Sequence, residues 1–463
     1  MASIRFLGAA GTVTGSRYLL STPGGTVLVD AGLFQGQKEL RLRNWEPFPV
    51  APSAIDAVVL THAHIDHAGA LPLLARDGFR GPVHCTPATR DLAHLLLPDA
   101  ARLQEEEARF ANRRGYSKHA PNARPLYTEP DALAALRLLS PMPYEAWREI
   151  RPGLSIRFHR AGHILGSAMV EVHLARPGEP KRRVLFSGDV GRYGAPILPD
   201  PDPVPATDDL LVECTYGDRR HQGSGREELR QAVLESAERG GALLMPAFAI
   251  GRTQEVLFHL RDLESKGEIP ELPVFVDSPM AVDATPIYLA HREDHDDEMA
   301  GLLAAGVEPL RPVRLRFARA PEQSKAINRV DGPCIIISAS GMATGGRILH
   351  HLANRLPNER TTVLLVGYQA AGTRGWSLQN GAKNLRMHGE EIPVRARVVS
   401  ISGFSAHADM DEVGRWLSTL PAPPARAFCV HGEAAPLAAT AARLSAQGWT
   451  ALVPRHGEEV ELC

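Results

Sequence analysis

The sequence predicts an α/β protein of two or three domains. Its 463 residues exceed the size of one ordinary domain. In the first third of the chain, short apolar stretches alternate with glycine-containing turns, a pattern typical of strands joined by tight connections. From about residue 225 onward, strand and helix patterns alternate, which predicts a parallel sheet that forms a unit of its own.

Composition and charge narrow the class of protein. Hydrophobic residues make up 44% of the chain, enough for a core in each domain. The formal net charge of −2 argues against a protein that coats duplex nucleic acid, although it allows an enzyme with a local basic groove. No apolar stretch reaches the length of a membrane span, and residues 1–12 lack the pattern of a signal peptide. The cysteines are odd in number and form no Cys-x-x-Cys pair, so we expect reduced thiols in a cytoplasmic protein; they are Cys85, Cys214, Cys334, Cys429 and Cys463.

Strands and helices are predicted in order along the first half of the chain. A helix is expected over residues 70–76, and the region 90–150 is predicted to be rich in helix, with a mixed-charge face exposed to solvent. The predicted strands cover residues 3–7, 16–20, 26–30, 57–60, 155–159, 168–174, 183–186 and 209–213.

In the second half of the chain, predicted helices and strands alternate. Helices are expected over residues 227–238 and 253–263. They alternate with strands that are predicted over residues 242–246, 274–277, 334–338, 362–366, 394–401 and 428–431.

The strongest chemical signal follows the strand that ends at residue 60. His62, His64, Asp66 and His67 lie within six residues of one another, directly after an apolar stretch. On a tight turn, this spacing can direct His62 and His64 at one metal ion and Asp66 and His67 at a neighbouring one. Imidazole and carboxylate are ligands that zinc accepts in open, catalytic sites.

Four further residues of ligand type stand in matching positions, each at the end of a predicted strand or just after one. They are Asp30, His163, Asp189 and His431. A single aspartate before a glycine is usually a turn residue. The repeated order of strand, ligand type and glycine nevertheless favours a metal site at the carboxyl ends of the strands.

These residues resemble the hydrolases of the metallo-β-lactamase fold in both identity and order. Further segments resemble the β-CASP group of nucleases, which includes the endonuclease subunit of the cleavage and polyadenylation specificity factor and its bacterial relatives. The segments begin at Glu213 (Glu-Cys-Thr), Pro246 (Pro-Ala-Phe-Ala-Ile-Gly-Arg), Ser338 (Ser-Ala-Ser-Gly-Met), Ser405 (Ser-Ala-His-Ala-Asp), Val430 (Val-His-Gly-Glu), Lys118 (Lys-His-Ala-Pro) and Pro125 (Pro-Leu-Tyr-Thr). Cys214 stands where many relatives have serine, a nearly isosteric difference.

The resemblance implies a domain order. An αββα metallo-β-lactamase sandwich would comprise residues 1–208 and 391–463, and an α/β β-CASP domain of residues 209–390 would be inserted into it. The active site would lie in a cleft between the domains that admits single strands. Cutting would be endonucleolytic, 5′-exonucleolytic or both.

The resemblance also implies two zinc ions and a role for each site residue. His62, His64 and His163 would hold one zinc ion, while Asp66, His67 and His431 would hold the second. Asp189 would bridge the two ions. Glu213 and Asp30 would orient metal-ligand histidines. His407 would face the scissile phosphate as general acid, and Asp66, Glu213 and Asp30 complete the predicted catalytic group.

The implied reaction is hydrolysis of a phosphodiester by a hydroxide that the two metal ions activate, leaving a 5′-phosphate and a 3′-hydroxyl. His431 occupies the third β-CASP motif, which is His in RNA-type members and Val in DNA-type members, so single-stranded RNA is the expected substrate. The residues expected to contact RNA are Arg252, Ser338, Ser340, Gly341, Ser405 and His407.

Three alternatives remain open at this stage: a DNA nuclease, a hydrolase of thioesters or lactones on the same fold, and an inactive RNA-binding subunit. A DNA nuclease of the group would lack His431, and small-molecule hydrolases have no use for so large an insert. An inactive subunit would have lost ligands, whereas all seven are present. A homodimer is possible.

Overall fold

The structure is a computed structural model, and it describes residues 2–115, 122–175, 178, 180–223, 225–367, 369–370 and 372–462. The motif that begins at Lys118 and the last cysteine, Cys463, lie outside these residues. Among the described residues, no helix combines the length and the apolar character that crossing a membrane requires.

The strands are short, and most are largely buried. In chain order they are β1 Ala2–Phe6, β2 Tyr18–Thr22, β3 Gly25–Val29, β4 Ala57–Val59, β5 Val83–Cys85, β6 Leu139–Pro141, β7 Arg148–Arg151, β8 Leu154–Arg160, β9 Ala168–Leu174, β10 Arg182–Phe186, β11 Asp209–Glu213, β12 Ala242–Ala247, β13 Val274–Val276, β14 Leu315–Phe317, β15 Cys334–Ala339, β16 Thr362–Leu365, β17 Asn384–Met387, β18 Glu390–Pro393, β19 Arg397–Ser400, β20 Arg426–Val430, β21 Ala451–Leu452 and β22 Glu459–Leu462.

The helices range from a single turn to the long α4. In chain order they are α1 Lys38–Leu42, α2 Ile65–Ala68, α3 Leu71–Arg76, α4 Pro87–Arg114, α5 Glu129–Leu136, α6 Arg226–Glu238, α7 Arg252–Ser265, α8 Pro279–Ala290, α9 Asp297–Ala304, α10 Pro321–Ile327, α11 Ile348–Arg355, α12 Arg374–Gln379, α13 Met410–Leu417 and α14 Ala434–Ala446. Short 3₁₀ helices lie at Arg43–Trp45, Pro52–Ala54 and Arg292–Asp294.

The chain divides into two compact units. The first comprises Met1–Tyr193, Asp200–Arg220 and His407–Cys463, and the second comprises Gly194–Pro199 and His221–Ala406. The sequence placed the domain boundaries at residues 209 and 390, and the units differ from them at both ends. The physical reason is strand pairing, because β11 is hydrogen-bonded between β10 and β20, whereas β19 pairs with β16.

The first unit is a sandwich of two seven-stranded sheets. One sheet has the order β22-β1-β2-β3-β4-β5-β6, and the other has the order β21-β20-β11-β10-β9-β8-β7. Residues of both sheets form one buried cluster. In it, the ring centroids of Phe6 on β1 and Phe428 on β20 lie 5.4 Å apart. The alternation that creates this layer is visible in β8, where Ile156 and Phe158 are fully buried.

Helices cover the outer face of each sheet. Apolar residues of α3, α4 and α5 form a cluster with the first sheet, and those of α13 and α14 form a cluster with the second. Helix α4 begins where the Thr86 hydroxyl accepts a hydrogen bond from Thr89 N–H, and it ends at Gly115 in a left-handed conformation. The layers are therefore helix, sheet, sheet and helix, as predicted.

The second unit contains a six-stranded, all-parallel sheet of order β14-β13-β15-β12-β16-β19. Its four inner strands, β13, β15, β12 and β16, are largely apolar and buried, as expected for a parallel sheet between helices. Ile336 of β15 and Leu244 of β12 are fully buried in its core with residues of α11 and α12. The predicted parallel-sheet unit is therefore present.

Candidate metal centre

The predicted ligands meet at one edge of the first unit, beyond the carboxyl ends of its strands. Strand β4 leads into His62, and β8 leads into His163. Asp189 follows β10 and His431 follows β20. Strand β11 lies between these two strands and pairs with both in parallel, so their carboxyl ends lie at the same edge. The sandwich places the two sheets face to face, so ligands from separate parts of the chain converge.

Three histidines and an aspartate form the first group of ligands. Nδ1 of His64 lies 3.0 Å from Nε2 of His62 and 3.2 Å from Nε2 of His163. The Oδ2 atom of Asp189 lies 3.4 Å from Nε2 of His62 and 3.5 Å from Nε2 of His163. His62, His163 and Asp189 are each less than 5% exposed.

The second group joins the first through the other oxygen of Asp189. Asp189 Oδ1 lies 3.3 Å from Nε2 of His67. That nitrogen lies 3.3 Å from Nε2 of His431, which is in turn 3.8 Å from Oδ2 of Asp66. The seven residues expected as ligands are therefore brought together in two groups, and one oxygen of Asp189 approaches each group.

The spacing and chemistry of these donors fit two zinc ions. In a tetrahedral site with bonds of about 2.0–2.1 Å, ligand atoms lie roughly 3.3 Å apart. Most of the distances measured here are close to that value. Oδ1 of Asp189 is buried and accepts no hydrogen bond from any residue that the structure describes. A buried carboxylate oxygen left in this way is suited to a metal bond.

Asp30 contacts Nδ1 of the His67 ring, whereas Nε2 faces Asp189 and His431. Its Oδ2 lies 2.7 Å from His67 Nδ1, while Oδ1 accepts a hydrogen bond of 2.8 Å from the Thr61 backbone N–H. The Thr61 hydroxyl donates to the same carboxylate. Since a carboxylate accepts the Nδ1 proton, Nε2 is left as the metal-binding nitrogen. Asp30 is therefore placed to orient the His67 ring.

Two close backbone approaches fix the ligand loops. A methyl group on Gly32 would lie 1.6 Å from the Asp66 carbonyl oxygen, and one on Gly191 would lie 1.9 Å from that of Gly162. Only glycine lets these segments touch, so the loop after β3 supports Asp66 and the loop after β10 supports His163. Asp30 and His431 adopt φ values of 59° and 48°, a strained choice for residues other than glycine that is typical of functional sites.

Glu213 contacts a different histidine from the one expected. The sequence assigned it to a metal-ligand histidine, but its Oε1 lies 3.1 Å from Nδ1 of His407, outside the seven ligands. Glu213 also accepts the backbone N–H groups of Val190 and Thr215. Because β11 ends at Glu213 beside the loop that carries Asp189, its carboxylate reaches His407 instead.

The buried acidic and basic groups of the centre shift one another's pKa values. Burial alone would raise the pKa of Asp189, but the surrounding histidines outweigh burial and hold it well below its usual range. Burial opposes the charge on His67 as well, yet Asp189 and Asp30 raise its pKa well above the ordinary value. For His407, Glu213 and Asp189 likewise outweigh burial and raise the pKa to about 9. These carboxylates favour positive charge at the site, as a cation-binding centre requires.

The residues expected to contact RNA belong mainly to the second unit, and two of them are already engaged there. The Ser338 hydroxyl is buried and donates to the Asp277 carbonyl oxygen. Arg252 is also buried, with its guanidinium paired to Glu255 and placed over the Phe404 ring. Both side chains are therefore already engaged within the second unit, and their expected contact with phosphate stays a prediction.

The remaining expected contacts lie in loops. Ser340 and Gly341 follow β15, and the Ser340 hydroxyl bonds to the Thr344 hydroxyl at 2.9 Å. The Ser405 backbone N–H donates to the Ser402 carbonyl oxygen, in the segment that precedes His407.

Two threonines at the metal centre were missed by the sequence reasoning. Thr61 links Asp30 to His62, since its hydroxyl lies 3.1 Å from His62 Nδ1. The Thr215 hydroxyl lies 3.1 Å from His431 Nδ1. The sequence could have indicated both threonines by their position, because each lies next to a predicted ligand or within a predicted motif at the end of a strand.

Family models match most of the chain. A model described as the metallo-beta-lactamase superfamily matches residues 10–246, and the Beta-Casp domain matches residues 253–378. A model described as a Zn-dependent metallo-hydrolase RNA specificity domain matches residues 391–454.

Individual proteins are similar over much of their length. Ribonuclease TTHA0252 of Thermus thermophilus is 39% identical over 98% of this chain and 98% of its own. Transcription termination factor FttA of Methanosarcina mazei is 34% identical over 92% of this chain, which spans 66% of that protein. A crystal structure of a protein of unknown function from Enterococcus faecalis covers 100% of both chains with a TM-score of 0.53 at 13% identity, a likeness of fold alone.

The sandwich and the ligand edge define a metal-dependent hydrolase of the metallo-β-lactamase superfamily. Within that superfamily, the chain belongs to the β-CASP family of nucleases. The predicted fold class, family and enzyme class are thereby confirmed.

Proposed function

We propose that this protein is a zinc-dependent ribonuclease that hydrolyses phosphodiester bonds of single-stranded RNA. The observation that carries the proposal is the pair of ligand groups joined by Asp189, with His431 completing the second. Bound there, two zinc ions would supply an activated water and neutralise charge on the phosphoryl oxygens.

RNA is favoured over DNA by His431 and by similarity. His431 stands in the third β-CASP motif, where the RNA-type members carry histidine. The similar protein of Thermus thermophilus is named a ribonuclease, and the match covers nearly the whole of both chains. An inactive subunit is disfavoured because all seven ligand residues are present and converge.

His407 is proposed as the general acid. Its Nδ1 is held by Glu213, and Nε2 is then the nitrogen that gives a proton to the leaving oxygen. The ring lies 4.5 Å from the His163 ring, beside the first ligand group but outside it. The oxygen of a water that has lost one proton to solvent joins phosphorus, and the bond from phosphorus to the 3′ oxygen breaks. That oxygen takes the His407 proton, and His407 regains a proton from solvent. The products are a 5′-phosphate and a 3′-hydroxyl.

A cytoplasmic location is part of the proposal. Cys85, Cys214, Cys334 and Cys429 are buried and free, as expected for a chain that folds without disulfides in a reducing compartment. The homodimer stays a prediction.

The test of substrate class is incubation with single-stranded RNA and a matched DNA, each labelled at the 5′ or the 3′ end. We expect RNA to be cut and the new 5′ ends to carry phosphate. Label released first as a mononucleotide from the 5′ end indicates exonuclease action, whereas internal fragments indicate endonuclease action. Faster cutting of DNA, or hydrolysis of a thioester or lactone alone, would overturn the proposal.

A further inference from the structure

An exposed phenylalanine interrupts a buried segment of the second unit. Phe248 follows β12 and is 48% exposed, while its neighbours Ala247 and Ala249 are 1% and 8% exposed. A single exposed apolar residue needs no explanation by itself. Phe248 differs because its backbone is anchored and its ring lies against a neighbouring loop at the carboxyl end of a parallel sheet, where α/β proteins usually bind ligands.

The backbone of Phe248 is fixed by the start of α7. Its carbonyl oxygen accepts hydrogen bonds from both the backbone N–H and the hydroxyl of Thr253, at 3.2 Å and 2.7 Å. Gln254 bonds to the next carbonyl oxygen, that of Ala249. The loop therefore presents the aromatic ring on a rigid base, so little conformational entropy remains to be lost on binding.

The ring rests against the loop of residues 340–344. Strands β12 and β15 are in register at Ala247 and Ala339, so Phe248 and Ser340 leave the sheet side by side. A methyl group on Gly341 would lie 3.2 Å from Cδ2 and Cε2 of Phe248. Glycine at this position thus allows the ring to pack against the loop backbone.

A positive charge from helix α12 contacts the same loop. The guanidinium of Arg374 donates to the carbonyl oxygens of Thr344 and Arg386, and no carboxylate of the described residues forms an ion pair with it. An aromatic ring on an anchored backbone and a cation, both in contact with one loop, are the two elements with which proteins bind single-stranded nucleic acid without reading its sequence.

We propose that Phe248 is a base-stacking residue for single-stranded RNA, with Arg374 attracting the phosphate backbone beside it. This inference rests on the proposed function, because the ligand is the proposed substrate. It assigns substrate affinity to a residue that is neither one of the proposed metal ligands nor the proposed general acid. Stacking on the ring tolerates every base, so the contact confers affinity for single strands and no sequence preference.

The first test is the steady-state kinetics of RNA cleavage by Phe248→Ala, Phe248→Leu and Phe248→Tyr. Loss of one stacked base should raise KM for RNA roughly 5- to 100-fold in the alanine and leucine variants, with kcat nearly unchanged. Tyrosine should restore the parental KM, because it keeps the ring. Phe317→Ala is the matched control, since Phe317 is 39% exposed on the edge strand β14 of the same unit, and its KM should not change.

The second test uses RNA oligomers with one abasic nucleotide moved along the strand. In the parental protein, removal of the base at one position of the RNA should raise KM by the factor seen for Phe248→Ala. In that variant, the same abasic position should cause no further rise, because the two changes remove one contact.

The outcomes separate this inference from the proposed function. If the parental protein cuts RNA and Phe248→Leu keeps the parental KM, the stacking role is wrong and the ribonuclease stands. If Phe248→Ala changes the oligomeric state in light scattering and not KM, the ring belongs to a contact between copies, and the inference is overturned. If the parental protein does not cut RNA, the proposed ribonuclease function and the stacking role of Phe248 are both wrong.

Discussion

The Asp30 carboxylate lies 2.7 Å from Nδ1 of His67, and both residues are buried at the metal centre. The contact fixes the ring so that Nε2 faces His431 and Asp189. A carboxylate in this position makes the histidine a stronger ligand. Asp30→Asn should therefore weaken zinc binding at the second group by about 10- to 100-fold.

Competition with a chromophoric chelator measures that affinity. Asp77→Asn is a suitable control, because Asp77 forms an exposed pair with Arg76 and is not one of the proposed ligands. Unchanged zinc affinity in Asp30→Asn would contradict the orienting role.

His431 should be both a ligand and necessary for RNA cleavage. His431→Ala removes the nitrogen that lies 3.3 Å from His67 Nε2, so the second zinc ion should bind more weakly and cleavage should fall strongly. Elemental analysis after dialysis should give close to one zinc ion per chain. His456→Ala, an exposed histidine of the same unit, should keep both ions. A His431→Ala protein that cuts RNA at the parental rate would refute the assignment.

His407 should act in chemistry and leave metal binding intact. His407→Ala should retain zinc and lose about 10²–10⁴-fold in single-turnover cleavage, the usual contribution of a general acid. The loss should shrink on a phosphodiester with a nitrophenolate leaving group, which needs no proton. Equal losses on both substrates would make His407 a phosphate-positioning residue, and loss of zinc would make it part of the metal centre.

The convergence of the proposed ligands could be predicted from the sequence because each of their segments follows a strand. Strand ends are recognisable from apolar stretches, and parallel strands bring their carboxyl ends to one edge. The partner of Glu213 could not be predicted in the same way. Its contact with His407 joins residues 194 positions apart and depends on how the loop after β10 packs.

The sequence was less informative where local patterns are weak. Strand β22 was not predicted, since Glu459–Leu462 is short and half charged, and pairing with β1 creates it. Ser338 was expected to face a phosphate, yet its hydroxyl donates to Asp277. A hydroxyl after a strand can point to either side, and only the packed neighbours decide which.

A buried carboxylate of the second sheet should make the stability of the first unit depend on pH. Burial opposes the charge of Glu171, but hydrogen bonds from His159 and Arg157 outweigh burial and lower the pKa from 4.5 to about 2. Folding therefore favours the ionised form. The stabilisation of the folded state by the ionised Glu171 carboxylate is complete above pH 4.5 and is lost as the pH falls towards 2.

Glu171→Gln should lower the free energy of unfolding by about 3 kcal/mol at pH 7 and by much less at pH 3. Urea unfolding at the two pH values measures the difference. Glu149→Gln, an exposed carboxylate on β7, is the control and should have a small effect at both. A loss of the same size at pH 3 and pH 7 would show that packing, and not ionisation, is responsible.

The central claim is that two zinc ions, held by groups that share Asp189, are needed to cut RNA. The most direct measurement follows cleavage of single-stranded RNA while metal-free protein is titrated with zinc and the bound metal is counted. Cleavage should stay low while chains carry at most one ion and should reach its maximum as occupancy approaches two per chain. Full activity at one ion per chain, or in metal-free protein, would contradict it.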